Sequence, residues 1–251
     1  MSEAEALTLP HDAQRYPWAL RVERLPDDHP AWMSPRAQWG EGPWQDEPDI
    51  IEWRRAGSGL PCLIVRAGTG ALCGYVGLPP VHPDFAKPYG RVDVEHAHGG
   101  LTFSDYCHGH ICHVPREGET GLVWWLGFDC AHFGDYSPAL EALTRGLRAR
   151  FSASYDEADL DVERLGMQQF ASYKTRGYVK ACVEAMADEL AERGPANLSR
   201  ERSWWWHVAQ AKQLFRQDLP DMWKRIYLER TRYGMREDEW EQAPWNRGRD
   251  L

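Results

Sequence analysis

Two apolar runs, Leu60–Arg66 and Ala71–Leu78, flank the short segment Ala67-Gly-Thr-Gly70, and Pro79-Pro80 follows at once. Runs of this length joined by a Gly-bearing loop predict a β-hairpin. Two further stretches read as strands, His98–Ser104 and Leu122–Asp129. Four short strands in succession predict an antiparallel meander.

Helical spacing takes over afterwards. Ser137-Pro138 suits a helix cap and first turn, and Leu140, Leu143, Leu147 and Phe151 then form one apolar stripe. Val179, Cys182, Val183, Met186 and Leu190 repeat that spacing in a second helix, which Gly194-Pro195 stops. Residues 200–216 and 220–234 read as two more helices. Strands first and helices later predict an α+β fold, an antiparallel sheet of about four or more strands covered by helices. Three parts follow: an irregular Trp- and Pro-rich arm over 1–50, an α+β core over 51–194, and a helical appendage over 195–251. Tryptophans at 18, 32, 39 and 44 make the arm an ordered wrapping rather than a free tail.

Composition narrows the function classes. The 251-residue, 28.9 kDa chain is long enough to remove roughly 70% of its extended surface from water. A net charge of −9 argues against binding nucleic-acid polymers, which demands clustered Lys and Arg. No apolar run approaches the ~20 residues of a membrane span, and MSEAEALTLPHDAQRY lacks the basic-then-apolar order of a secretory signal. The expected setting is cytoplasmic. Six cysteines without framework spacing are then expected as free thiols, with Cys62, Cys73 and Cys182 in apolar patterns as core residues.

Histidine is the anomaly. Six of the ten lie between 96 and 132. If Leu101 and Phe103, and Trp124, Leu126 and Phe128, face the core, strand alternation places His98, Gly100, Thr102, Ser104, Trp125 and Asp129 on the other face. That face reads either as a solvated surface or as a site floored by Trp125. Asp129-x-x-His132-x-x-Asp135 continues from the strand end with spacing that suits a metal or a histidine base with its orienting carboxylate. The candidate catalytic residues are therefore His98, Asp129, His132 and Asp135. Gly100, Thr102, Ser104, Trp125 and Arg66 are the candidate ligand-binding residues, with Arg66 neutralising an anion. A second cluster, Cys107-His-Gly-His-Ile-Cys-His113, offers thiolate and imidazole ligands from Cys107, Cys112 and His113 for zinc or another divalent metal, with Cys130 or His132 completing the shell. Packing is the competing reading for both clusters.

Several of these segments together resemble an uncharacterised protein family of actinobacteria and their phages. They are Leu60–Arg66, Leu72–Pro79 with His82-Pro83, His98–Phe103, Ile111–Pro115, Trp124–His132 with Gly134-Asp135, and Tyr173–Val179, spanning about residues 43–193. The resemblance carries no catalytic role. Its phage association implies interference with host defence through a small nucleotide-like signal.

Three functions are consistent with these residues. One is a hydrolase acting on a small, nucleotide-derived molecule. Another is a module that sequesters such a ligand without turning it over, as a homo-oligomer joined through Trp204, Trp205 and Trp206. The last is a protein-binding module that docks through the arm and the C-terminal helices. Three adjacent tryptophans point ~100° apart on a helix, so they cannot all enter one core.

Overall fold

The computed structural model describes residues 15–80, 82–114, 122–151 and 171–193. An antiparallel sheet of six strands organises them: β1 (Arg21–Glu23), β2 (Ile50–Arg54), β3 (Pro61–Arg66), β4 (Leu72–Leu78), β5 (Phe103–Asp105) and β6 (Trp124–Asp129). Their spatial order is β1-β2-β3-β4-β6-β5, so the α+β architecture is as predicted. The hairpin is β3 and β4, with Cys62 opposite Val76 and Arg66 opposite Leu72. The connectivity departs from a simple meander, because β6 pairs with β4 and β5 lies outside it. β1 and β2 carry no alternation that stands out in the sequence. They pair with each other, and β2 with β3, to extend the sheet into the Trp-rich arm.

Both sheet faces are covered. Ile64, Leu72, Val76, Leu126 and Phe128 point to one side and pack against helix α2 (Arg176–Arg193), through Val179, Val183, Met186, Ala187 and Leu190. This is the predicted stripe, except that Cys182 is only half-buried and Ala187 completes it. On the opposite face Ile50, Leu63, Val65, Tyr75, Val123 and Trp125 form a second cluster, closed by Phe103 and Ile111 from the chain around β5. Full burial of side chains of this size contributes ~1.5–3 kcal/mol each, which makes both layers substantial.

Helix α1 (Pro138–Phe151) departs from its predicted stripe. Ala139 and Ala142 are its buried residues in a third cluster with Trp32, Trp39 and Trp44, whereas Leu147 is exposed. Three broad indole rings fill the interface, so the helix meets them with small side chains. Arg36 lies within this layer, its guanidinium 4.7 Å from the Trp39 ring centroid. Among the described residues no helix is long and apolar enough to cross a membrane. The predicted helices at 200–216 and 220–234, and Trp204, Trp205 and Trp206, lie outside the described residues.

Candidate functional site

The second covered face changes the predicted site. Trp125 is fully buried within the second cluster, so it floors packed side chains rather than a ligand. Gly127 beside it leaves no opening: a Cβ there would lie 2.2 Å from the Tyr75 ring, which fills the space. Thr102 is exposed, with its backbone N–H donating to Gly127 O, and the Ser104 hydroxyl accepts from the Tyr89 N–H at 2.9 Å. Arg66 is also corrected. It is buried and donates to Asp49 at 2.7 Å, to the Gly70 carbonyl at 2.9 Å and to the Tyr173 hydroxyl at 2.7 Å, so it belongs to the architecture.

The histidine–aspartate residues do converge, by another route. Residues 98–102 are not a strand: Gly99 and Gly100 take φ of +67° and +92°, a left-handed turn that suits glycine. The Gly100 N–H donates to Ala97 O at 3.0 Å. This turn sends Leu101 to the helix-covered face and Phe103 to the other, so the two do not share a face. His98 thereby stands beside Phe128 and Tyr178 of α2, on the side opposite Trp125.

A second turn brings the remaining groups. The Asp135 N–H donates to His132 O, and the His132 N–H returns to Asp135 Oδ2 at 3.0 Å. Asp135 Oδ2 is 2.8 Å from His98 Nε2, and Lys174 Nζ lies 3.3 Å from Asp135 Oδ1. His98 Nδ1 is 2.9 Å from the Tyr178 hydroxyl. The His98 and His132 rings meet edge to face at 5.4 Å. Gly99 makes that approach possible, because a Cβ at this position would stand 2.5 Å from the His132 ring.

His132 Nδ1 is buried and has no hydrogen-bond partner among the described residues. It lies 3.5 Å from Asp135 Oδ2 and 4.0 Å from Asp129 Oδ1. A ring lone pair facing two carboxylates is repelled by both; a proton or a cation between them removes the conflict. Coordinating atoms of His98, His132 and Asp135 all lie within 4.8 Å of one another. Two imidazoles and a carboxylate form a borderline nitrogen/oxygen set that suits zinc and other first-row divalent metals. Burial alone would raise Asp135, but the hydrogen bond and charge of His98, with the His132 N–H and Lys174, hold its carboxyl below the ordinary range. Asp135 is thus ionised at neutral pH, as a ligand or an orienting base must be. No protein-family model, curated protein or solved structure matches this chain.

Asp129 stands at the rim with its Oδ1 accepting the Ala131 N–H. Lys174 and Tyr178 were not among the predicted site residues. Lys174 lies just before α2 and Tyr178 in its first turn, within the Tyr173–Val179 segment, and alternation along a strand cannot reveal partners so far along the chain. The Cys107–His113 cluster lies apart from this site. Cys107 and Cys112 are joined in a disulfide, contrary to the expected free thiols, and His113 is buried beside them. Neither Cys130 nor His132 completes that cluster: Cys130 is in the main core and His132 is in the site above. Cys62, Cys73 and Cys130 are buried free thiols, and burial pushes the Cys73 thiol up to about 12, which keeps it unreactive.

Proposed function

We propose that this chain is a metal-dependent hydrolase of a small, anionic, nucleotide-like molecule, with His98, His132 and Asp135 as its centre. The observation that carries this reading is the buried, unpartnered Nδ1 of His132, held between two carboxylates and within coordination reach of His98. A divalent cation bound there would lower the pKa of its water from 15.7 to about 7 and polarise a phosphoryl or carbonyl oxygen.

The surrounding residues fit supporting roles. Asp135 Oδ2, which accepts the His132 N–H and lies 2.8 Å from His98 Nε2, would be the oxygen at the centre, with Lys174 beside Oδ1. Tyr178 fixes the His98 ring: with Nε2 free to coordinate, Nδ1 carries the proton and donates it to the tyrosine oxygen, the usual outer partner of a metal-ligating histidine. Asp129, a third exposed at the rim, is placed to accept a proton from the attacking water. Phe133, next to His132 and 85% exposed, offers an apolar face to a planar base. By analogy with the phage resemblance, the substrate would be a signal of host defence.

A metal-independent version rests on a different observation. Asp135, His98 and Tyr178 form a continuous hydrogen-bonded line, the arrangement of an acid–base relay. Mass-spectrometric metal analysis of the full chain, followed by incubation with a panel of mononucleotides and cyclic dinucleotides before and after chelation, separates the two. Turnover that chelation abolishes and Zn2+ or Mn2+ restores supports the metal centre. Turnover indifferent to chelation selects the relay. Recovery of every nucleotide unchanged overturns the hydrolase reading and leaves ligand sequestration.

A further inference from the structure

We propose that Cys107, Cys112 and His113 form a redox-gated site for a thiophilic cation such as Zn2+. The disulfide closes it, and reduction opens it. This inference is independent of the hydrolase reading. The two clusters lie at opposite ends of β5, since Phe103 pairs with Gly127 and Asp105 with Trp125, while His98 precedes the strand and Cys107 follows it.

The hairpin supplies the geometry. His108 and Ile111 exchange backbone hydrogen bonds of 3.0 and 2.9 Å, so Gly109-His110 is a two-residue turn. Cys107 and Cys112 flank that pair as facing residues, their Cα atoms 4.6 Å apart. Side chains in facing positions project to the same side. Their sulfurs and a His113 ring nitrogen fall within 4.8 Å of one another. Cys2His supplies three of the four ligands that tetrahedral zinc accepts, and both half-exposed cysteines leave room for a water as the fourth.

Backbone contacts to neighbouring elements anchor the chain at this set. Arg21 donates to the carbonyl of Cys112 at 2.8 Å, and the Val114 N–H donates to the Glu52 carboxylate at 3.2 Å. Cross-linking so short a loop removes less unfolded-chain entropy than closing a long one. The His113 ring is buried, with its centroid 6.2 Å from that of Trp125, and stands at ligand distance from both sulfurs.

The chemistry balances with a thiol reductant. Two thiols reduce the Cys107–Cys112 disulfide to two cysteine thiols and become a disulfide themselves. Zn2+ then binds both sulfurs and His113, releasing two protons. In reverse, a small-molecule disulfide takes two electrons from the two thiolates, Zn2+ departs, and two protons convert the oxidant to thiols.

Co2+ is the discriminating probe, because thiolate ligation gives an intense near-ultraviolet charge-transfer band that a His2Asp centre lacks. The reduced full chain should bind Co2+ with that band, Zn2+ should remove it, and oxidation by glutathione disulfide should abolish it. Cys107→Ser with Cys112→Ser should lose the band while retaining the weaker visible absorption of any Co2+ at His98. A second measurement needs no variant: Zn2+ should slow alkylation of Cys107 and Cys112 by iodoacetamide at least tenfold in the reduced chain, read by peptide mass spectrometry. No band and no protection overturn the proposal; so does a band that survives in the double variant.

Discussion

Two clusters of charged and polar side chains adjoin this sheet, and they are built in opposite ways. Around Asp49, both carboxylate oxygens accept from Arg36 at 2.7 Å, Arg66 adds a third contact at 2.7 Å, and the Leu25 N–H a fourth at 2.8 Å. Glu47 accepts from the Tyr173 hydroxyl at 2.6 Å and from the Arg176 N–H at 2.7 Å. Around Asp135 the pairing is incomplete: His132 Nδ1 has no hydrogen-bond partner among the described residues, and the His132 side chain is a third exposed. A buried charge that is paired on every side serves the fold, because any loosening leaves it desolvated. A half-open cluster with one unmet nitrogen has capacity left for a ligand. Charge content alone would not separate the two, and neither would one unmet nitrogen, since Arg36 Nε also lacks a hydrogen bond; what separates them is that Arg36, Asp49 and Arg66 are buried while His132 is a third exposed.

The largest expected effect tests the closed cluster. Asp49→Ala leaves two buried guanidiniums facing one another, and breaking such a set costs about 3–5 kcal/mol. That is a large share of the ~5–15 kcal/mol by which domains are stable. Urea unfolding should show the midpoint collapse. A loss below about 1 kcal/mol would break the comparison, since the network would then contribute no more than a surface pair.

His132→Ala should behave in the opposite manner. Losing a group that binds the cation or moves the proton should lower turnover by about 10²-fold or more, whereas stability should change by no more than about 1 kcal/mol. Nucleotide turnover and urea unfolding on the same preparation check both halves. A variant that unfolds but, when folded, turns over normally would move His132 into the architectural class.

The contrast also explains what could be read from the sequence. The β3–β4 hairpin and the α2 stripe follow from periods of 2 and 3.6 imposed by a core. Alternation tells which residues share a face but not what covers that face, so Trp125 was expected at a ligand and lies in a second core layer. Leu140, Leu143 and Leu147 made an apolar stripe on α1, yet the tryptophans of the arm admitted Ala139 and Ala142 instead. His98, His132 and Asp135 were legible as residues. Their geometry was not, because it depends on two turns, on Tyr178 from a distant helix and on Lys174 just before it. Nor did the sequence show that Arg66 answers to Asp49, since partners 17 residues apart meet only once β2 and β3 pair.

Gly99→Ala sharpens the comparison at intermediate cost. The left-handed backbone costs an L-residue about 1–2 kcal/mol, and the new methyl would press on the His132 ring. Metal affinity should fall along with thermal stability. Ala substituted at Gly57, also at positive φ but with open space around it, is the control: it should reproduce the backbone loss and leave metal affinity unchanged. Equal effects on affinity would show that His132 does not depend on the close approach at Gly99.

The smallest effect is a change in the shape of the stability–pH curve. The folded-state pKa of Asp135 lies below its unfolded value, because pairing with His98, His132 and Lys174 outweighs burial. The unfolded chain therefore binds the proton first on acidification, and stability contributed by Asp135 is present above an ordinary aspartate pKa of about 3.9 and lost as pH falls through the lowered folded value. Subtracting the curve of Asp135→Asn from that of the wild type isolates this contribution, because acid titration elsewhere in the fold is common to both. The difference should be largest and flat above about pH 5, while His98 stays paired, and should shrink toward the acid limit. A difference that grows on acidification would require a raised folded pKa. The charged neighbours would then fail to hold Asp135 ionised, and with that the distinction between an open, charged site and a closed, paired network would disappear.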